Sequence, residues 1–217
     1  GDCLYTGCVP SKTLIRSAHA AHEARNAARL GVAVGEVRVD WDKVLQRIQS
    51  VIGQIEPHDS PERYRSLGVE CLSGRAEVID PFRVRVGGDV YTTRQIILAT
   101  GASPIRPAIP GLDLVRAYTS ENIWQMSPIP KHLLVLGGGP IGCELAQAFV
   151  RLGLDVTLVE RHSQLLARED QDVAESVRQS LLDSGVRVLV NQEVLAFEIE
   201  GGVTRARLSS GDTVPMD

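Results

Sequence analysis

Residues 133–160 constrain the fold of this chain more than any other segment. They read LLVLGGGPIGCELAQAFVRLGLDVTLVE, in which an apolar run is followed by glycines at 137, 139 and 142 and then by a helical pattern. In this Gly-x-Gly-x-x-Gly spacing, glycine permits a tight turn, the close approach of a pyrophosphate and close helix–strand packing. The segment predicts a strand, a helix from Pro140 to Leu152 and a second, parallel strand.

This segment also predicts a nucleotide site. A pyrophosphate would bind the N–H groups at the helix start, where the helix dipole favours negative charge. Glu160 follows Gly142 by 18 residues and ends the second strand, where a carboxylate can bind a ribose 2′-hydroxyl and repel a 2′-phosphate. We therefore predict NAD rather than NADP, and a glycine-rich turn without a ligand is the alternative. The predicted cofactor-binding residues of this domain are Gly137, Gly139, Ile141, Gly142 and Glu160. Apolar spacing predicts a buried helix stripe of Ile141, Leu145, Ala148, Phe149 and Leu152.

The rest of the chain continues this α/β pattern. Helical spacing predicts helices over 10–29, 41–55 and 172–184. A further helix is predicted to begin at Pro61, with Ser60 as its N-cap. Alternating apolar residues predict strands over 69–74, 75–80, 82–86, 90–98, 186–190 and 212–217, with a hairpin turn at 87–89. The proline-rich stretch 104–111 is a predicted connector and domain boundary.

Cys3 and Cys8 form a second constellation, in the stretch GDCLYTGCVPSK. A zinc site is disfavoured because Cys71 and Cys143 are isolated, and a structural disulfide closing so short a loop would add little stability. Cys8 immediately precedes the predicted helix and lies one turn before Lys12. A helix dipole and a nearby positive charge predict a lowered Cys8 pKa, which favours a redox couple.

The stretch CLYTGCVPSK closely resembles the redox motif of the flavin-dependent pyridine nucleotide–disulfide oxidoreductases. IILATGASP (96–104) is similar to the family's FAD-contacting segment, and GGGPIGCE and VTLVERHSQLLARED are similar to its NAD domain. The resemblance implies a three-layer, Rossmann-like FAD/NAD(P)-binding fold, with a partial FAD domain over 1–111 and a C-terminally truncated NAD(P)-binding domain over 112–217. The family resemblance is to mercuric reductase and dihydrolipoamide dehydrogenase, and CVPSKTLIRSA favours the mercuric-reductase-like branch rather than glutathione reductase.

The resemblance also implies roles for individual residues. Cys3 would exchange with substrate, Cys8 would lie against the flavin as a thiolate, and Lys12 would pair with Glu144. These four are the implied catalytic residues, and Gly7, Lys12, Thr100 and Gly101 are the implied FAD-site residues. The family often has Gly-Gly-Thr before the first cysteine and Asn-Val between the two, where this chain has Asp2, Tyr5 and Thr6.

By this resemblance the parent protein would be an enzyme that passes electrons between NADH, FAD, the Cys3–Cys8 disulfide and a small disulfide, dithiol or mercuric ion. A non-catalytic NAD-binding module and a thiol-based metal-binding protein are the alternatives, and no resident metal is predicted. The chain would lack the first FAD motif and the C-terminal dimerisation domain, so we expect the fragment to be inactive and not to retain FAD, and the parent to be a homodimer. The net charge of −4 and the absence of a long apolar run predict no nucleic-acid or membrane partner and a cytoplasmic protein.

Overall fold

The computed structural model describes residues 2–217 and combines six α-helices with three three-stranded sheets. The helices are α1 (Asp2–Tyr5), α2 (Cys8–Asn26), α3 (Trp41–Ile55), α4 (Pro61–Ser66), α5 (Pro140–Arg151) and α6 (Gln171–Asp183). The strands are β1 (Ala76–Asp80), β2 (Arg83–Val86), β3 (Asp89–Thr92), β4 (His132–Leu136), β5 (Asp155–Val159), β6 (Arg187–Leu189), β7 (Val194–Glu200), β8 (Val203–Leu208) and β9 (Thr213–Met216). Within residues 2–217, none of the helices has the length and apolarity to cross a bilayer.

Local sequence sets several of these boundaries. Helix α3 has the predicted bounds, and the Asp40 carboxylate caps it by accepting a hydrogen bond from Lys43 N at 3.1 Å. Ser60 caps α4 as predicted, since its Oγ accepts from Arg63 N at 3.2 Å. Such caps satisfy N–H groups that have no partner within the helix. Strands β2 and β3 pair from Val86 to Asp89 across two glycines, which confirms the hairpin turn.

Strands β4, β5 and β6 form the predicted parallel sheet, in that order, with α5 and α6 as its crossovers. Its side chains alternate between two hydrophobic cores. Leu133, Val135 and Leu158 pack with the helices, whereas Leu134 and Val159 pack with the antiparallel β7–β8–β9 sheet. Helices, parallel sheet and antiparallel sheet therefore form three layers, as predicted.

The helical core contains residues from both sides of the predicted boundary near residue 111. Leu14 of α2 and Ile48 of α3 belong to the same buried cluster as Phe149 of α5. The rings of Trp41 and Phe149 stack with centroids 6.1 Å apart. The two segments are thus joined by apolar packing, and the boundary itself stays a prediction.

Some predicted elements differ from the structure. The strands predicted over 69–74 and 96–98 are wrong: neither is in a strand, and β3 ends at Thr92. Ile97 is 90% exposed, and 96–98 has no ladder partner in the described part of the chain. Because a strand is stabilised by pairing with a neighbour, an apolar run alone does not produce one. Helix α2 begins at Cys8, two residues before the predicted start, so Cys8 itself lies in the first turn.

Candidate functional site

The glycine loop connects β4 to α5. Gly137 has φ +100°, a conformation that residues with a Cβ rarely adopt, and Gly139 precedes the first residue of α5. A Cβ on Gly142 would overlap the carbonyl oxygen of Gly137, so only glycine lets the helix pack this closely on the strand end. The loop therefore has the tight turn and close packing expected of a dinucleotide-binding turn.

Glu160 follows β5 and contacts the glycine loop directly. Only 8% of the residue is exposed, and its Oε2 accepts a hydrogen bond from Gly138 N at 2.6 Å. Its Oε1 accepts from His162 N at 2.8 Å. Each carboxylate oxygen can accept more than one hydrogen bond, so capacity remains for a ribose hydroxyl. The carboxylate also fixes the loop, a role that the sequence pattern did not reveal.

A cavity of about 620 Å³ lies beside this loop, bounded by β4, the first turn of α5 and the linker before β4. Gly137, Gly139 and Ile141 line it. The prediction that Ile141 belongs to the buried stripe of α5 is wrong, because the residue is 68% exposed. It lies in the first helical turn, ahead of the region that packs on the sheet. Its predicted place in the cofactor loop is compatible with this exposure.

Cys3 and Cys8 are brought together at the junction of α1 and α2. Both are exposed free thiols, and Gly7 lies between the two helices. A hydrogen bond with the Cys3 side chain, followed by the charge of Cys3, raises the pKa of Cys8 above its ordinary value. The predicted lowering is therefore wrong for the dithiol. Lys12 does act to lower this pKa, but its effect is smaller than that of the neighbouring thiol.

Lys12 and Glu144 meet across the two halves of the chain. Lys12 Nζ of α2 lies 2.9 Å from Glu144 Oε2 of α5, which is the pairing that the resemblance implied. Both side chains are well exposed, and exposed ion pairs add little stability. The pair instead fixes the position of α2 relative to α5. Glu144 follows Gly142 by two residues, so α5 both begins at the glycine loop and pairs with the helix that contains Cys8.

Thr100 and Gly101 lie in an exposed segment without helix or strand. Gly101 and Ala102 contact α1, since Ala102 N donates to Asp2 Oδ2 at 3.0 Å. Gly7 packs closely on the Asp2 backbone. The structure thus groups Gly7, Gly101, Lys12 and Glu144 near the cysteine pair, and Thr100 precedes Gly101 in the chain. The other predicted residues lie near the ends of β4 and β5: Gly137, Gly139, Ile141, Gly142 and Glu160.

Three contributors to the site were missed from the sequence. Gly138 donates to Glu160, and a Cβ on Gly138 would overlap the buried side chain of Leu165, which follows β5. Asp2 contacts Ala102 across 100 positions. The contacts of Gly138 could have been inferred, because neighbouring parallel strands end at the same edge of a sheet. No local sequence pattern indicates the contact of Asp2 with Ala102.

Cys143 is a buried thiol in the first turn of α5, directly after the glycine loop. Its Sγ lies 3.4 Å from Gly138 O. Burial, then the charges of Glu160 and Glu144, raise its pKa to about 11. A thiol that is almost entirely protonated at neutral pH is a poor nucleophile. Cys143 is therefore a packing residue beside the loop rather than a third redox thiol.

Comparisons with known proteins agree with this geometry. The family described as pyridine nucleotide-disulphide oxidoreductase matches residues 1–217. A mercuric reductase of Bacillus cereus is 30% identical over 208 residues, which are 96% of this chain and 33% of that protein. A dihydrolipoyl dehydrogenase of Mycoplasma genitalium is 32% identical over 203 residues, covering 91% of this chain and 44% of the relative.

A solved structure is similar over the whole chain. The Cu(II) complex of the HOCl-induced flavoprotein disulfide reductase RclA from Escherichia coli superimposes with a TM-score of 0.78 at 28% identity, covering 100% of this chain and 46% of that one. The chain thus spans less than half the length of these proteins. Its glycine loop, cysteine pair and full-length family match lead to one conclusion: the chain belongs to the pyridine nucleotide-disulphide oxidoreductase family.

Proposed function

We propose that this chain is part of an FAD-dependent oxidoreductase in which electrons from NADH reduce a Cys3–Cys8 disulfide, and the resulting dithiol reduces a small-molecule disulfide or mercuric ion. The observation that carries the proposal is that two exposed thiols lie close enough for Cys3 to shift the Cys8 pKa, on the helix pair that also carries Lys12 of the Lys12–Glu144 ion pair. In this proposal residues 1–111 belong to the FAD domain and residues 112–217 to the NAD domain. A homodimeric, cytoplasmic parent protein stays part of the prediction.

The residues present fit a dinucleotide at the end of β4. The open glycine loop, the start of α5 and the Glu160 carboxylate would hold the pyrophosphate and a ribose. Glu160 disfavours a 2′-phosphate, so we expect NAD to bind more tightly than NADP. Gly7, Lys12, Thr100 and Gly101 would contribute to the FAD site, and FAD when bound supplies two-electron transfer between nicotinamide and a disulfide.

The cysteines account for the thiol chemistry. Reduction of the Cys3–Cys8 disulfide takes up two electrons and two protons and gives the dithiol seen in the structure. With a disulfide substrate, the Cys3 thiolate forms a mixed disulfide and releases one thiol. Cys8 then attacks Cys3 Sγ, which releases the second thiol and restores the intramolecular disulfide. The exposure of Cys3 allows the first step, and its proximity to Cys8 allows the second.

Two alternatives make different predictions. In a non-catalytic NAD-binding module the cysteines would be idle. In a thiol-based metal-binding protein they would bind a soft ion without electron transfer. Among residues 2–217, no group of three or more His, Cys, Asp or Glu side chains is arranged to hold a metal ion.

The test is NADH oxidation by the full-length protein with lipoamide, glutathione disulfide or mercuric ion as acceptor. We compare the wild type with Cys3→Ser and Cys8→Ser, and use Cys71→Ser as the matched control thiol. We expect loss of acceptor-dependent NADH oxidation, by at least about 100-fold, in both redox-pair variants, because neither can form the disulfide. The control should keep wild-type activity. Full activity in Cys3→Ser, or no NADH oxidation by the wild type with any acceptor, would contradict the proposal.

A further inference from the structure

Helix α1 is a single turn, Asp2–Tyr5, in which the side chains of Asp2, Leu4 and Tyr5 are anchored by contacts outside the turn. Asp2 Oδ2 accepts a hydrogen bond from Ala102 N at 3.0 Å. Leu4 is 3% exposed and belongs to the helical core. The Tyr5 hydroxyl donates to Glu56 Oε1 at 2.6 Å. The Cys3 side chain is exposed and lies beside Cys8.

The Asp2 anchor joins α1 to the Gly101 turn. Its carboxylate lies so close to Gly101 that a Cβ on that residue would be 2.8 Å from Oδ1. The main-chain oxygen of Asp2 also accepts from Thr6 N at 3.0 Å, so the residue is held by both its backbone and its side chain. An anchor between positions 2 and 102 limits how far the start of α1 can move.

The Tyr5 anchor joins the other end of α1 to Glu56, which follows α3. The hydrogen bond to Glu56 is the main cause that raises the Tyr5 pKa above its ordinary value. The hydroxyl therefore stays protonated, and remains a donor, throughout the pH range in which thiols exchange. The hydrogen bonds of Asp2 and Tyr5 thus fix the first and last residues of the turn that contains Cys3.

We propose that Asp2 and Tyr5 are positioning residues that hold Cys3 against Cys8, so that the pair closes readily into a disulfide. The inference rests on the proposed function, because it is the redox role of the cysteines that makes their spacing matter. Restricting the motion of α1 raises the effective concentration of one thiol at the other. Loss of an anchor should therefore weaken the disulfide relative to the dithiol.

The experiment measures the disulfide equilibrium in the full-length protein. Cys3 and Cys8 thiols plus glutathione disulfide give the intramolecular disulfide and two glutathione molecules, so electrons and protons balance. Protein equilibrated in glutathione buffers is acid-quenched and alkylated with N-ethylmaleimide, and the disulfide fraction is read by peptide mass spectrometry. We expect Asp2→Ala and Tyr5→Phe each to lower the equilibrium constant by about 3- to 10-fold, the range of one net hydrogen bond.

Conservative variants separate anchoring from charge. Asp2→Asn keeps an oxygen that can accept from Ala102 N, and Glu56→Gln keeps an acceptor for Tyr5, so both should stay within about 2-fold of the wild type. Asp42→Ala, at an exposed acid of α3, is the unrelated control. Circular dichroism and NAD binding verify that each variant is folded.

The outcomes are distinct. Wild-type equilibrium constants in both Asp2→Ala and Tyr5→Phe would refute the positioning role of Asp2 and Tyr5 and would leave the proposed function intact. An Asp2→Asn variant as impaired as Asp2→Ala would also refute this role, because charge and not the hydrogen bond would then be responsible. A wild-type protein that forms no Cys3–Cys8 disulfide would overturn the proposed function and the anchors together.

Discussion

Replacing Glu160 with alanine should destabilise the protein far more than an ordinary acidic substitution. The carboxylate is buried and accepts two hydrogen bonds, from Gly138 N and His162 N. A hydrogen bond to a charged group contributes about 1.5–3 kcal/mol, so the loss of both gives about 3–6 kcal/mol. Glu160→Gln keeps one acceptor oxygen but directs an NH₂ group at the other N–H, and should cost about half as much.

The assay is urea unfolding of the 217-residue chain, followed by the fluorescence of Trp41 and Trp124. Glu121→Ala, at an exposed acid, is the control and should change the free energy of unfolding by no more than about 0.5 kcal/mol. Calorimetry with NAD and NADP on the same proteins measures the second role of the carboxylate, and Glu160→Ala should erode the preference for NAD. A Glu160→Ala protein within about 1 kcal/mol of the wild type would refute the view that this carboxylate organises the glycine loop.

Two further predictions concern the same region. Because the pKa of Cys143 is raised to about 11, roughly one Cys143 thiol in a thousand is ionised at pH 8. At that pH iodoacetamide should therefore alkylate Cys3 and Cys8 and should spare Cys143 until the pH approaches 11. Rapid labelling of Cys143 in folded protein at pH 8, measured by peptide mass spectrometry, would contradict its burial. Gly142→Ala should lower the free energy of unfolding by about 1–3 kcal/mol, because the new Cβ overlaps Gly137 O. A Cβ on Gly139 meets open space, so Gly139→Ala should leave stability unchanged and weaken only NAD binding. Equal urea midpoints for the two variants would count against this difference.

Local patterns in the sequence predicted much of this protein. The 3.6-residue spacing of apolar residues and the cap at Asp40 or Ser60 act within one or two turns, so the bounds of α3 and the start of α4 could be read directly. The glycine spacing likewise predicted the β4–α5 turn, because the steric need for glycine is a local property. The alternation of strands and helices predicted the parallel sheet and hence the family fold.

Only the tertiary structure decided how distant groups act on each other. The direction of the Cys8 pKa depends on the neighbouring Cys3 thiol, which outweighs the charge of Lys12, and sequence spacing could not rank the two effects. The apolar run at 96–98 reads as a strand, yet pairing needs a neighbour that the run itself cannot supply. The contact of Asp2 with Ala102 depends on folding that brings together positions 100 residues apart. Electrostatic effects, strand pairing and long-range contacts depend on distances through space. Local sequence patterns do not reveal those distances.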